Sequence, residues 1–235
     1  MFKDVSLNGL QVDSGRATIS KVVIAVDSGL SVIQKAVQEE ADLLIVHHGL
    51  FWSEAQALIG PFGDKIRTLF EGKCSLYASH LPLDAHHDVG NNFELARFFE
   101  LDRIQPFGDY KGQFIGAEGM TKTPSTLQNF VDRCRAMPGA ITPLVLPFGP
   151  SKIEKVAFLS GSGVSAMREA GEKGIDLFIS GEPKQEAYHI AKELNLNAIF
   201  AGHYATETFG VKALARVIEK DFEIKTSFID EPTGI

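Results

Sequence analysis

The chain has 235 residues, 44% of them hydrophobic and 23% charged, a composition that builds a sizeable core in one domain or two lobes and excludes wholesale disorder. A formal net charge of -7 leaves no basic footprint for duplex nucleic acid, and no apolar stretch reaches the roughly 18 residues that a membrane span needs. Only Cys74 and Cys134 are present, in no C-x-x-C pair, and Met1-Phe2-Lys3-Asp4 opens no signal peptide, so a soluble protein of the reducing cytoplasm is expected.

In chain order, Asn8-Gly9 marks a tight turn between apolar flanks. Lys21 to Val26 reads as a strand closed by Asp27-Ser28-Gly29, and Val32, Ile33, Ala36 and Val37 then recur at helical spacing. The next strand, Ala41 to Val46, is a continuous apolar run that ends in His47-His48-Gly49. This is a βαβ unit with a parallel sheet, and the carboxyl ends of such strands are where open α/β sheets bind ligands. Successive strand side chains point to opposite faces, so His47 and His48 suit two different centres more readily than one.

A helix is expected from an Asp64 cap through Ile66, Leu69 and Phe70 to a left-handed Gly72. The strand Cys74 to Ser79 then ends in a second polar cluster, His80-Leu81-Pro82-Leu83-Asp84-Ala85-His86-His87-Asp88, followed by a helix capped by Asn91. Residues 101–152, rich in Gly and Pro, read as a connecting segment with a small α+β element, its helix starting at Thr123-Pro124.

From Lys155 the pattern of Lys21 begins again. Ala36 falls on Ala170, Asp42 on Asp176, Leu43 on Leu177 and Ile45 on Ile179 without a gap, and Gly181-Glu182 stands where the first copy has His47-His48. A further strand, Ala198 to Gly202, precedes His203-Tyr204-Ala205-Thr206-Glu207, read as the counterpart of His80 to Asp84. A last helix with Val211, Leu214, Ala215 and Ile218 and a strand from Ile224 to Ile229 complete the chain. Duplication of this kind usually brings two halves, here about 1–105 and 106–235, around a shared site.

His47, His48, Asp84, His203 and Glu207 mix imidazole with carboxylate and include no thiolate, which suits Zn, Fe, Mn, Co or Ni in an open centre. A bridging carboxylate could hold two such ions roughly 3.5–4 Å apart. His80 and Glu182 stand beside these ligands as candidates for orienting or proton-transfer groups. His86 and His87 read as loop residues, His189 as a helix residue, and Gly161-Ser162-Gly163 as a plain turn before a helix or a weak phosphate cradle.

Together, Leu7-Asn8-Gly9-Leu10-Gln11-Val12, Val46-His47-His48-Gly49 with Phe51-Trp52, His80-Leu81-Pro82-Leu83-Asp84-Ala85-His86, Gly90-Asn91-Asn92, Ile179-Ser180-Gly181-Glu182 and Gly202-His203-Tyr204-Ala205-Thr206-Glu207 resemble the Nif-three-like family of type 2 GTP cyclohydrolase I homologues. The resemblance runs in order along nearly the whole chain, which would make residues 1–235 a single family domain. It implies two intertwined, internally duplicated α/β lobes with a metal cleft between them, and a toroidal homohexamer. It also implies two divalent metal ions per subunit, His48 and Asp84 on one, His47 and His203 on the other, and Glu207 bridging. Two departures are visible: Ser6 stands where a proline is usual, and most of a leading helix is expected to be lacking. The implied activity is that of a dinuclear metal-dependent hydrolase in which metal-activated water attacks the purine ring of GTP. The alternative is a metal-binding regulatory or partner-binding protein without turnover.

Overall fold

The computed structural model describes residues 2–235, and the chain divides into two compact units, Met1–Leu83 with Val211–Glu231 and Asp84–Gly210 with Pro232–Ile235. In chain order, the first unit holds β1 (Gly9–Val12), β2 (Lys21–Asp27), α1 (Leu30–Gln38), β3 (Leu43–His48), α2 (Gly60–Glu71) and β4 (Ser75–Ala78). There follow α3 (Leu81–Ala85), α4 (Asn91–Phe98), β5 (Asp102–Tyr110), β6 (Gln113–Ser125), α5 (Leu127–Arg135), β7 (Leu144–Pro147), β8 (Ile153–Leu159), a single 3-10 turn Val164–Ala166 and α6 (Met167–Glu172). The chain ends with β9 (Leu177–Ser180), α7 (Ala187–Glu193), β10 (Asn197–Phe200), α8 (His203–Phe222) and β11 (Lys225–Phe228). The protein is α/β, with one sheet in each unit. Among the described residues, no helix is long and apolar enough to cross a membrane.

The first sheet has the order β1-β4-β3-β2-β11, with β4, β3, β2 and β11 parallel and β1 antiparallel on β4. Its core is aliphatic, built from Val23, Ile33, Leu44, Leu69 and Leu76. The second has the order β5-β6-β8-β9-β10-β7, with β8, β9 and β10 parallel and both flanking strands antiparallel. Phe99, Phe130, Phe158 and Ile179 form part of its core.

The two sheets share a four-strand motif in matching register. Val22 pairs with Leu43 and Ala25 with Val46; shifted by 134 positions, Val156 pairs with Leu177 and Leu159 with Ser180. Asp42 Oδ2 accepts the backbone N–H groups of Ser20 and Lys21 at 2.8 and 3.0 Å, and Asp176 Oδ2 accepts those of Glu154 and Lys155, both at 2.9 Å. Lys21 Nζ donates to the Glu39 carbonyl as Lys155 Nζ does to that of Lys173. The left-handed backbone needed after each helix falls on Glu40 (φ 59°) in one unit and Gly174 (φ 62°) in the other. The expected parallel pairs are therefore present, and the repeat extends to a strand that sequence reading passed over: β7 lies antiparallel on β10 as β1 does on β4.

Register also corrects the sequence alignment of the polar clusters. Ser79 N donates to the Val46 carbonyl and Ala201 N to that of Ser180, so Ser79 corresponds to Ala201 and His80 to Gly202. His203, first residue of α8, then corresponds to Leu81, first residue of α3, and Asp84 to Thr206 rather than Glu207. The apparent His-x-x-x-acid match was one residue out of step because a four-residue spacing carries no information about the ladder beneath it.

Other differences are local. Helix α2 starts at Gly60 with Pro61 in its first turn, so Asp64 lies inside it and Ile59 takes the cap position. Gly72 is right-handed (φ -78°) and Lys73 takes the left-handed turn (φ 50°); Gly72 is needed instead because a Cβ there would run into Val37. Thr126, not Thr123, caps α5, accepting from Asn129 N. Residues 101–152 are more than a connector: β5 and β6 form a hairpin closed by Lys111-Gly112, both at positive φ, and supply two strands of the second sheet. Their glycines hid them, yet Gly116 is required where a Cβ would strike the Phe158 carbonyl of the neighbouring strand.

Candidate metal centre

In the first unit the carboxyl ends of β3 and β4 bring three imidazoles together. His47 is fully buried, and its Nδ1 lies 2.9 Å from the Ser79 carbonyl oxygen. A carbonyl can only accept, so Nδ1 carries the proton and Nε2 the lone pair. His48 Nδ1 lies 2.8 Å from Asp27 Oδ1, across the β2–β3 ladder, and His80 Nδ1 lies 3.0 and 3.2 Å from the two oxygens of Asp4. Each ring is thus tethered by Nδ1 to an acceptor, the arrangement that orients metal-ligating histidines. One ring nitrogen from each of the three lies within 4.8 Å of those from the others.

Alternation along β3 predicts that His47 and His48 part company, but their ring centroids are only 4.6 Å apart. Alternation separates Cβ atoms; the tethers to Ser79 and Asp27 decide where the ring tips go. Asp4 itself accepts from Ser6 N at 3.0 Å, Asn8 Nδ2 at 2.8 Å and Leu81 N at 3.1 Å. Burial pushes its carboxyl up, but the His80 hydrogen bond and these donors outweigh that and hold it well below the usual carboxylate range.

In the second unit His203 and Glu207 stand one turn apart on α8, with His203 Nε2 3.1 Å from Glu207 Oε2. Glu182, at the position that corresponds to His48, lies 3.4 Å from the other ring nitrogen. Burial lowers the His203 pKa, but the two carboxylates outweigh it and raise it to about 9. Gly161 (φ 59°) closes this corner, since a Cβ there would meet Glu207 Oε1 and the His203 ring. Its N–H donates to Thr206 Oγ1 at 3.0 Å and that of Gly163 to Ser180 Oγ at 2.9 Å, so Gly161-Ser162-Gly163 is a turn supporting α8 and not a phosphate cradle.

Asp84, 5% exposed, accepts from Asn91 Nδ2 and Ser160 Oγ, both at 2.9 Å. Asn91 was expected to cap α4, but Gly90 takes that place and the Asn91 side chain serves Asp84. Neighbouring Asn92 ties Ser160 through its N–H at 2.7 Å. Sequence reading missed Asp4, Asp27, Asn91, Asn92 and Ser160; the paired, wholly buried asparagines were the available signal. His86 Nδ1 accepts from Asp88 N at 3.1 Å, His87 pairs with Asp88 at 3.0 Å on the surface, and His189 is exposed on α7.

The donors are therefore imidazoles in the first unit and imidazole with carboxylate in the second, held by hydrogen bonds, and their chemistry fits a divalent transition ion. Residues 1–234 match the family described as Duf34/NIF3, NGG1p interacting factor 3. The chain belongs to the Duf34/NIF3 family. Relatives in this family include a protein from Deinococcus radiodurans named GTP cyclohydrolase 1 type 2 homolog, 44% identical over 100% of this chain and 88% of its own length. A protein of the same name from Pyrococcus abyssi is 41% identical over 100% and 93%. Among solved structures, a Thermus thermophilus protein is 44% identical with a TM-score of 0.91 over 99% of this chain and 92% of its own. Reduced HcgD from Methanocaldococcus jannaschii is 30% identical with a TM-score of 0.83 over 97% and 92%.

Proposed function

We propose that this Duf34/NIF3 protein is a dinuclear metal-dependent hydrolase in which His47, His48, Asp84, His203 and Glu207 hold two divalent ions per subunit. The carrying observation is the preset donor chemistry: buried or half-buried imidazole and carboxylate groups, His47, His48 and Asp84 held from behind by hydrogen bonds, and no thiolate among them. In this reading His48 and Asp84 would hold one ion and His47 and His203 the other, with Glu207 offering a carboxylate to both. Ions of this type, Zn, Fe, Mn, Co or Ni, activate water and polarise the carbon under attack. The chain's own residues do the rest. Ser79 and Asp27 hold the His47 and His48 rings by their Nδ1 protons, Asn91 and Ser160 hold Asp84, and Glu182 holds the far nitrogen of His203.

The relatives' shared name supports GTP as the leading substrate, its imidazole ring opened with release of formate. A cytoplasmic toroidal homohexamer is part of the same reading, checked by light scattering of the purified protein. To test the activity, metal-loaded protein is incubated with GTP while formate is followed, beside a panel of phosphoester and amide substrates. Formate release that disappears in Glu207→Gln supports the proposal. No turnover by fully loaded protein overturns it and favours a metal-binding regulatory protein.

A further inference from the structure

The turn that follows the histidine pair is fastened more firmly than an exposed loop requires. Leu50 N donates to Gln11 Oε1 at 2.7 Å, and Gly49 is needed there because a Cβ would strike that same amide. The Phe51 carbonyl accepts from Leu7 N at 3.0 Å, the Phe51 ring meets Phe62 edge-on at 5.5 Å, and Trp52 forms an antiparallel bridge with Ser6. All of this fixes one side chain. The indole N–H of Trp52 is returned to the Gly49 carbonyl at 3.2 Å, and its ring packs edge-on with His80, 5.1 Å between centroids, a ring itself held by Asp4. Yet Trp52 is 37% exposed, 6.2 Å from the ring of His48. Its one polar atom is satisfied and its orientation set, so what it offers to solvent is a rigid π-surface, and the partner that such a surface takes best is another flat ring.

We propose that Trp52 is the platform on which the purine base of the substrate stacks beside the proposed metal centre. The choice of a purine rests on the hydrolase reading, which requires a purine imidazole ring at the ions; the stacking itself needs no turnover and can be measured alone. A bicyclic base is large enough to lie on an indole and still reach imidazoles 5.1 and 6.2 Å from it. Stacking reads the face of a base and not its hydrogen-bonding edge, so this platform favours purines over pyrimidines without telling guanine from adenine. Trp52 is the only tryptophan in the chain, and its fluorescence therefore reports the event directly.

The test titrates the full chain, loaded with Zn2+, with guanosine, adenosine, cytidine and ribose, using N-acetyltryptophanamide to correct for absorbance. Nucleosides are chosen so that no phosphate reaches the ions. The expected result is saturable quenching by both purine nucleosides, weaker quenching by cytidine and none by ribose. Followed by calorimetry, Trp52→Ala should weaken purine binding roughly 5–150-fold, and Trp52→Phe should restore part of the loss. Metal content should stay level in both variants, which separates a platform from a mere support of the ligands. No quenching by any nucleoside, equal quenching by ribose, or purine affinity untouched in Trp52→Ala overturns the platform. So does emission that is shielded from acrylamide and indifferent to nucleosides, the result expected if a second copy of the chain covers the ring. Should Trp52→Ala not fold, Trp52→Leu, which keeps bulk without a ring, takes its place. GTP turnover with KM unchanged in the variant overturns the platform and leaves the hydrolase standing, whereas purine quenching without turnover supports the platform and overturns the hydrolase.

Discussion

Asp4 Oδ1 lies 3.0 Å from His80 Nδ1, joining residues 76 positions apart in the first unit. Asp4→Ala strips an acceptor from His80, Asn8 and two backbone N–H groups at once, and should cost about 1–3 kcal/mol of folding free energy at pH 7. The Asp4 carboxyl is depressed below its ordinary value, so its contribution is present above about pH 4 and is lost as pH falls through the folded value. Urea denaturation at pH 7 and pH 3 checks this: the gap between wild type and Asp4→Ala should narrow at the lower pH.

His203 behaves in the opposite sense. Its folded pKa, raised to about 9, means that the imidazolium stabilises the metal-free fold fully below about pH 6.5, and that this contribution disappears as pH rises through 9. An ion that takes His203 must displace that proton. Calorimetric titration of metal-free protein in buffers of different ionisation enthalpy should show proton release at pH 7 that fades above pH 9, with affinity rising in between.

Glu207→Gln should weaken both ions of the proposed dinuclear centre, because the variant keeps the size of the side chain but removes the anion that offsets repulsion between two dications. His47→Ala and His203→Ala should deplete one ion, and Asp84→Asn the other. Metal analysis of the purified variants decides the matter. Two tightly held ions in Glu207→Gln would refute the bridge.

Gly161→Ala is expected to be more damaging than its size suggests. The left-handed backbone costs about 1–3 kcal/mol for a residue with a Cβ, and that Cβ meets Glu207 and the His203 ring. Thermal unfolding should show the strain. Metal content should fall with it, whereas Gly174→Ala, left-handed but open to space, should lose stability alone.

What could be read in advance divides by the kind of signal. The parallel strands announced themselves because a strand buried on both faces must be apolar throughout, as in Leu43 to Val46 and Leu177 to Ile179. The duplication was legible for the same reason, down to Asp42 and Asp176. Strands β5 and β6 were not, since Gly and Pro belong both to loops and to strands whose neighbours approach closely. The groups behind the histidines were hidden too. Asp4 and His80 or Asp84 and Ser160 meet only in the folded chain, and nothing in the spacing of either pair foretells it.

Strand β11 lies beside β2 in the first sheet, pairing Lys225 with Lys21 and Phe228 with Ile24. During synthesis one edge of β2 must therefore wait, its N–H and C=O groups exposed, until Lys225 to Phe228 have left the ribosome. The second sheet suffers no such delay, for all six of its strands have been made by Phe200. The half of the molecule begun first is finished last, and a nascent chain stalled before Lys225 should display an intact second sheet beside an open, protease-sensitive first one.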